Sequence, residues 1–481
     1  MTDSVDGSTL GFGLAVRRAL LALAAAIVAA LATGSTPAVA ATTKSFDFPV
    51  TMSPYQVRQE LKVVSSPGID GFITAMSVNV VDSNGAAVPI RRLMLHHIVF
   101  AAVGKPNPTC GKTFTGFDSR PYPYKVDAQP FYGAGEERNV LVLPQGYGYR
   151  IGKNDLWAVV WMLMNHRGVS DHAFIRWTVT YEPASANLTP VTPYWLDVRN
   201  CHADPIYSVP GGGRKNSTYK QTYTYTMPES GRIVAGGGHV HGGAKDLVVS
   251  EPDCNNRTVY TSRPAWGEPS HPFYHVRPIL HEPGPISMSG FLSQQGYPIS
   301  QGQRIRLTAN YDNRRPHTRV MGISAFYLAP QTVPKGCPAK PKDILSIQPA
   351  KIKGIPFRTK TPKFVVPLTG LDANGHAHTI SRPPGKTVAV KNGATVSAVD
   401  YYFSKPNVSI APGSTLYWNF GPTTLHNVTL ANGPRGFASP NLSDGRTFKF
   451  HFKKPGTYRL FCGLHPVQMT ETVTVRKKKH R

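Results

Sequence analysis

The sequence predicts an all-β protein built from antiparallel sandwiches, and two observations predict it. From Lys44 onward, short runs rich in Val, Ile, Thr, Tyr and Phe are separated by Gly, Pro, Asn and Asp. Aromatic residues make up 10% of the chain, and 44 Gly and 43 Pro suit turn-rich β domains better than helical bundles. Gly71-Phe72-Ile73-Thr74-Ala75-Met76-Ser77-Val78-Asn79-Val80 is one such run, and Leu156-Trp157-Ala158-Val159-Val160-Trp161-Met162-Leu163 is another. At 481 residues the chain has room for about three domains.

Only the N-terminal segment reads as helix, and it reads as a targeting signal. Arg17 and Arg18 precede an apolar run at residues 19–31, and Ala38-Val39-Ala40 offers small residues for cleavage. The run is too short and too alanine-rich for a membrane span. Residues 1–40 are therefore expected to be a signal peptide, making the protein secreted, periplasmic or held at the cell surface. Ordinary secretion is favoured over twin-arginine export because the consensus around the arginine pair is poor; a retained anchor is the lesser alternative.

Export implies an oxidising compartment, and the five cysteines fit one. With Cys462 set aside as a metal ligand, Cys110, Cys201, Cys254 and Cys337 remain, which allow three pairings. Joining neighbours, Cys110 with Cys201 and Cys254 with Cys337, is preferred. Cys201 with Cys337 would instead clasp the ends of a second domain.

The net charge of +26 is unchanged by removing residues 1–40, which takes away two Arg and two Asp. Such a surplus favours polyanions. Nucleic acid does not fit an exported protein that lacks a recognisable binding motif. Anionic cell-surface polymers or membrane headgroups fit better, and a merely solvated basic surface fits as well. The terminal Arg476-Lys477-Lys478-Lys479-His480-Arg481 is open to the same readings.

A first sandwich is expected over residues 42–199 and a second over 200–336; with no linker between them, they should pack together. Residues 337–385 are rich in Pro and Lys and read as a linker, followed by a third domain over 386–478.

That third domain carries the most specific motif. Cys462-Gly463-Leu464-His465-Pro466-Val467-Gln468-Met469 offers a thiolate, an imidazole and a thioether in a short loop after a strand-like run. A thiolate with two imidazoles makes a trigonal site, and a distant thioether adds a weak axial bond, a set suited to copper cycling between two oxidation states. His426, in Leu425-His426-Asn427-Val428, supplies the second imidazole. The order His, then Cys-x2-His-x3-Met, resembles the cupredoxins, the blue-copper family of plastocyanin and amicyanin. The resemblance covers residues 388–475. It implies a Greek-key sandwich holding one type 1 copper on His426, Cys462, His465 and Met469.

The remaining histidines are grouped. Leu93-Met94-Leu95-His96-His97-Ile98-Val99-Phe100 sets two imidazoles in an apolar strand, where burying both is costly without partners. Adjacent strand residues face opposite ways, so joint ligation needs a bulge or a twisted strand end. His166 ends the run Trp161-Met162-Leu163-Met164-Asn165-His166. In Gly238-His239-Val240-His241-Gly242, period two puts both rings on one face, able to pinch one ion. Met321 follows Pro316-His317-Thr318-Arg319-Val320.

This order, His-His, His, His-x-His and Met, resembles the copper type II, ascorbate-dependent monooxygenases, the family of peptidylglycine α-hydroxylating and dopamine β-monooxygenases. The resemblance covers roughly residues 45–335 and implies two packed jelly-roll domains, each with one copper. Carried over, His96, His97 and His166 hold an electron-transferring copper. His239, His241 and Met321 hold the copper that meets dioxygen, and so carry the catalysis.

The sequence departs from that family where the substrate is chosen. The peptide-hydroxylating members carry an arginine at the position of Gly237, and an Asn and a Tyr where Gly322-Ile323-Ser324-Ala325 stand here. Peptides ending in glycine are therefore a poor substrate. His172 is an alternative ligand, His317 either supports Met321 or lies exposed on a turn, and His376-Ala377-His378 reads as solvated loop.

Two functions are carried forward. One is a copper-dependent monooxygenase-like module, acting on an unknown small-molecule or peptide substrate, with the cupredoxin as its electron port and a redox partner or ascorbate-like reductant as the source. The other is a copper-binding or electron-transfer protein in which only the cupredoxin is redox-active. Multicopper oxidases and copper nitrite reductases are disfavoured, because Gly463 rather than His follows Cys462.

Overall fold

The alternation written into the sequence becomes alternation of burial: along Asp171–Pro183, residues 171, 173, 175, 177 and 179 point into a core. The computed structural model describes residues 41–477, except 112, 116–120, 124–126, 203, 277–278, 348–356, 359 and 362–384. The expected signal peptide, His376-Ala377-His378 and the last four residues lie outside the described residues. Strands and three single-turn 3-10 helices make up the elements, with no α-helix among the described residues, so the all-β expectation is borne out. Among the described residues no helix is long and apolar enough to cross a membrane.

Residues 42–481 form one compact unit with three main cores. The first core lies between two sheets. One runs in the order Thr42–Met52, Asp171–Pro183, Gly71–Val81, Tyr147–Ile151, Thr189–Pro190; the other Val57–Ser65, Leu156–Asn165, Leu93–Val103, Ala128–Gly135. Phe100 is ringed by Phe131, Trp157 and Trp177 at 5.7–6.3 Å.

The second core lies between the sheet Thr192–Asp197, Gly322–Pro330, Gly231–Val240, Gly290–Ile299, Leu345–Ile347 and the sheet Thr218–Thr226, Arg304–Asp312, Ala244–Glu251, Arg257–Ser262. Thr192–Asp197, placed by sequence at the end of the first sandwich, thus pairs with the second. Within the expected linker, Leu345–Ile347 pairs with Gly290–Ile299, and Phe357–Arg358 pairs with Pro264–Gly267. The local Pro and Lys content gave no hint of this, because open sheet edges elsewhere in the chain recruit those residues.

The two sandwiches pack together, as their missing linker implied. Val234, Ala235, Tyr327 and Ala329 enter the first core, and the Tyr327 hydroxyl donates to the Phe131 carbonyl at 2.8 Å. Cys110 is bonded to Cys201 and Cys254 to Cys337, the preferred pairing.

The third core is closed by the sheet Val388–Ala389, Asn407–Ile410, Thr470–Val475, Gly456–Phe461, Thr429–Asn432 and the sheet Tyr402–Phe403, Thr395–Val399, Ser414–Phe420, Thr447–Phe452. This domain docks on the other two. The Gly436 amide donates to Pro210 (2.9 Å), the Arg435 guanidinium to Gly211 (2.9 Å), and the Thr318 hydroxyl to Leu430 (2.9 Å). Val467, inside the Cys462–Met469 loop, is buried with Met94, Met162, Met164, Leu280 and Ile286. The loop that carries the thiolate therefore faces the sandwiches.

Candidate metal centres

The Cys462 loop is held by its own backbone. The Cys462 amide donates to the Met469 carbonyl (3.0 Å), the His465 amide to Cys462 (3.1 Å), and the Met469 amide to His465 (3.0 Å). His426 is fixed on the facing segment by exchanging two backbone hydrogen bonds with Leu442. The result brings the His426 and His465 Nδ1 atoms to 3.1 Å of each other and the Cys462 sulfur to 3.6 Å from His465 Nδ1. Met469 is fully buried in the same core.

Burial pushes the Cys462 thiol above its ordinary value, opposed by the amides of Asn427, Leu464 and His465 and by the Arg319 charge. Burial, with His426 beside it, lowers His465 to about 4, and burial also lowers His426. Both imidazoles are thus kept neutral, the form that ligates metal. A buried thiol, two neutral imidazoles and a buried thioether fit copper, and His426, Cys462, His465 and Met469 would hold it. The Tyr401 ring, 51% exposed, stands 4.6 Å from that of His465 at the outer face.

A second nest lies at the seam between the two sandwiches. On Leu93–Val103 the pairing with Leu156–Asn165 slips at His96: Met162 faces His97, and the next residue, Leu163, faces Leu95. This is the bulge that adjacent histidines require if both are to reach one site, and it brings the two Nδ1 atoms to 3.0 Å. From Gly231–Val240 and the residue after it come His239 and His241, with Nε2 atoms 3.1 Å apart. His281 places its Nε2 2.8 Å from His241 Nδ1. Ligating nitrogens of His96, His241 and His281 lie within 4.8 Å of one another, and all three residues are buried.

Two buried carboxylates flank these rings. Glu137 Oε1 is 3.0 Å from His239 Nδ1, and Glu136 Oε1 is 3.2 Å from His281 Nε2. Gly135 makes room for this approach, since a Cβ there would stand 2.6 Å from the His239 ring. Burial, reinforced by neighbouring imidazoles, holds His96 and His241 well below the ordinary histidine value and His97 at about 3. Burial also pulls on His239, but the Glu137 carboxylate outweighs it and raises that ring.

His96, His97, His239 and His241, singled out by sequence, thus come together, but across the expected division. The nest mixes residues assigned to separate coppers. His166 is fully buried just past Leu156–Asn165 and is not one of the three convergent rings. Met321 is buried between His317–Val320 and Gly322–Pro330. Its carbonyl accepts from the Tyr311 hydroxyl (2.6 Å), which in turn accepts the His241 amide (2.9 Å). His172 is exposed and faces Thr51, and His317 is buried against Glu282 (2.8 Å), not on an exposed turn. Sequence reasoning missed His281, Glu136 and Glu137. Its available signal was a His-Glu pair after the apolar Ile279-Leu280, polar groups that burial must satisfy.

One cavity is lined by residues from both neighbourhoods: His96, His281 and Glu282 of the nest, and Phe461 and Gly463, which flank Cys462. Arg319 lines it as well, and its charge acts on both His97 and Cys462.

Comparison with known proteins bears on the third domain. Residues 388–476 match the copper binding proteins of the plastocyanin/azurin family. Amicyanin of Paracoccus versutus is 28% identical over 107 residues, 21% of this chain and 81% of its own length. Amicyanin-alpha of Methylorubrum extorquens is 32% identical over 74 residues, 15% of this chain, which spans 62% of that relative's length. Among solved structures, a purple cupredoxin from Nitrosopumilus maritimus is 27% identical, with 17% of this chain and 99% of that one covered and a TM-score of 0.16. A Cu(I) amicyanin variant is 25% identical, with 18% and 83% covered and a TM-score of 0.17. Residues 388–476 are thus a cupredoxin, a copper-binding electron-transfer domain of the plastocyanin/azurin kind.

Proposed function

We propose that the chain is an exported copper protein in which the cupredoxin passes single electrons to copper held in the sandwich module. There dioxygen hydroxylates a C–H bond of a small-molecule or peptide substrate. The balance is R–H + O2 + 2 e⁻ + 2 H⁺ → R–OH + H2O, with electrons from a redox partner or an ascorbate-like reductant. The observation that carries this reading is that His96 and His281 line the same cavity as Gly463, the residue next to Cys462.

Copper, when bound, supplies the one-electron chemistry that dioxygen needs. The chain supplies the rest. Burial keeps the His96, His97 and His241 rings neutral and ready to ligate. Glu137 fixes the orientation of His239, as a carboxylate beside a ligating imidazole does. A Cβ on Gly237 would meet nothing within 4 Å, so this chain leaves space at the position that resembles the arginine site of the peptide-hydroxylating monooxygenases. Two disulfides support export to an oxidising compartment.

Oxygen uptake by the copper-loaded chain, with ascorbate and a panel of C–H substrates, tests the reading. Uptake that requires substrate and is lost in His96→Ala and His241→Ala is expected; no uptake across the panel defeats it. The second reading, a non-catalytic copper-binding or electron-transfer protein, is favoured by one observation. The buried rings of the nest already meet one another and two carboxylates at hydrogen-bond distance.

A further inference from the structure

We propose that His96, His241 and His281 hold a single copper ion at the seam between the sandwiches, and that this ion accepts the electron of the cupredoxin copper. The inference deepens the proposed function: it rests on a redox-active sandwich module but assigns a different ligand set and count.

Three observations carry it. The first is geometric. Nitrogens bound to one tetrahedral or trigonal ion at metal–nitrogen distances near 2.0 Å stand roughly 3.3–3.5 Å apart. The nest brackets that spacing: His241 Nδ1 lies 2.8 Å from His281 Nε2, and all three residues offer a nitrogen within 4.8 Å of the others, so movements on the order of 1 Å would seat one ion. The ligands come from three places, the bulged strand Leu93–Val103, the end of Gly231–Val240, and the segment before Glu282, so one ion would tie both sandwiches together.

The second is charge. Glu136 and Glu137 are 6% and 4% exposed, each against an imidazole of the nest. Glu137 Oε2 is buried with no hydrogen-bond partner, and Glu136 already reaches His281. Burying two carboxylates without an adequate cation is costly, and a divalent ion among the imidazoles offsets both.

The third is the neighbour, which selects copper over zinc. Three imidazoles accept either metal, but only copper can use an adjacent one-electron donor. Gly463 lines the same cavity as His96 and His281. Arg319 Cδ comes within van der Waals reach of Gly463, 3.4 Å from where a Cβ would stand, so the thiolate loop abuts this residue. Arg319 is held at φ 54°, a left-handed conformation that is strained in a non-glycine residue. Its guanidinium meets Asp204 at 3.2 Å and the Ser439 carbonyl at 3.5 Å, tying the cupredoxin to the second sandwich. The step itself is simple: Cu(I) of the cupredoxin becomes Cu(II), the seam Cu(II) becomes Cu(I), and no bond breaks.

The test uses the full mature chain loaded with Cu(II). About two coppers per chain are expected, one blue and one with electron paramagnetic resonance couplings to three imidazole nitrogens. His281→Ala should lose the second and keep the blue band; Cys462→Ser should do the reverse, which preserves the test if His281→Ala fails to fold. After flash reduction without oxygen, the bleached blue band should recover as the electron moves on, a phase that His281→Ala lacks. About three coppers, only one, zinc at the seam, or a band that stays bleached overturns the inference. So does copper loss in His166→Ala or Met321→Leu with His281→Ala unaffected. A two-copper chain with electron transfer but no oxygen uptake defeats the monooxygenase reading alone.

Discussion

The amide of Asn427 points at the sulfur of Cys462, 3.4 Å away, while the Asn427 side-chain oxygen receives the amide of the next residue, Gly463, at 2.7 Å. One residue beside His426 thus positions the thiolate and the loop leading to the seam. Its amide nitrogen also donates to Asn441 (2.9 Å), and the Thr429 hydroxyl donates to its oxygen (2.9 Å).

Asn427→Ala should therefore do more than remove one contact. It strands the buried Asn441 oxygen and the Gly463 amide, at about 1–3 kcal/mol for each group left unsatisfied. Thermal unfolding of the copper-loaded chain should fall accordingly, with the blue band shifted as the loop relaxes. An unchanged melting curve and spectrum would show that the network does not hold the loop.

Cys462→Ser removes the only sulfur ligand that deprotonates. The oxidised wild-type chain is expected to absorb strongly near about 600 nm through its thiolate–copper bond, and the variant to lack that band. Visible spectroscopy decides; a colourless copper-loaded wild type would refute the type 1 site.

Asp197 gives the stability a pH slope. Burial raises its carboxyl from 3.8 to about 6, against the amides of Arg199, Cys201 and His202, which donate to it and favour its charged form. The folded state therefore binds a proton that the unfolded state releases first. The resulting stabilisation is full below about pH 4 and is lost as pH rises through about 6, on the order of 3 kcal/mol. Denaturant titrations from pH 4 to 7 should show this fall in wild type and a flatter profile in Asp197→Asn; parallel profiles would disprove it.

The bond between Cys110 and Cys201 closes a loop across a separation of 91 residues. Chain entropy assigns such a closure about 4–5 kcal/mol. Replacing both cysteines with serine should lower the denaturant midpoint by a matching amount while leaving the blue band in place. No change in midpoint would mean that sandwich packing alone fixes this segment.

The cupredoxin ligands were the most legible part of the site. Cys462, His465 and Met469 lie within one eight-residue loop, so covalent spacing alone nearly dictates their convergence. The pairs His96-His97 and His239-Val240-His241 were legible for the same local reason. Their grouping was not. Which rings meet depends on a bulge at His96 and on how two sandwiches pack, and neither is written in a short window. His281, 40 positions from His241, and the carboxylates Glu136 and Glu137 are brought in by that packing alone.

By itself, the sequence determined the all-β class, the preferred disulfide partners and the donor set of one copper site, because strand periodicity, cysteine neighbourhood and ligand spacing are local. Only the tertiary structure decided that histidines from both sandwiches form one nest, and that Gly463 of the Cys462 loop lines a cavity with them and Arg319. Most of those contacts join residues more than 100 positions apart, and only the burial of three cores against one another brings them into reach.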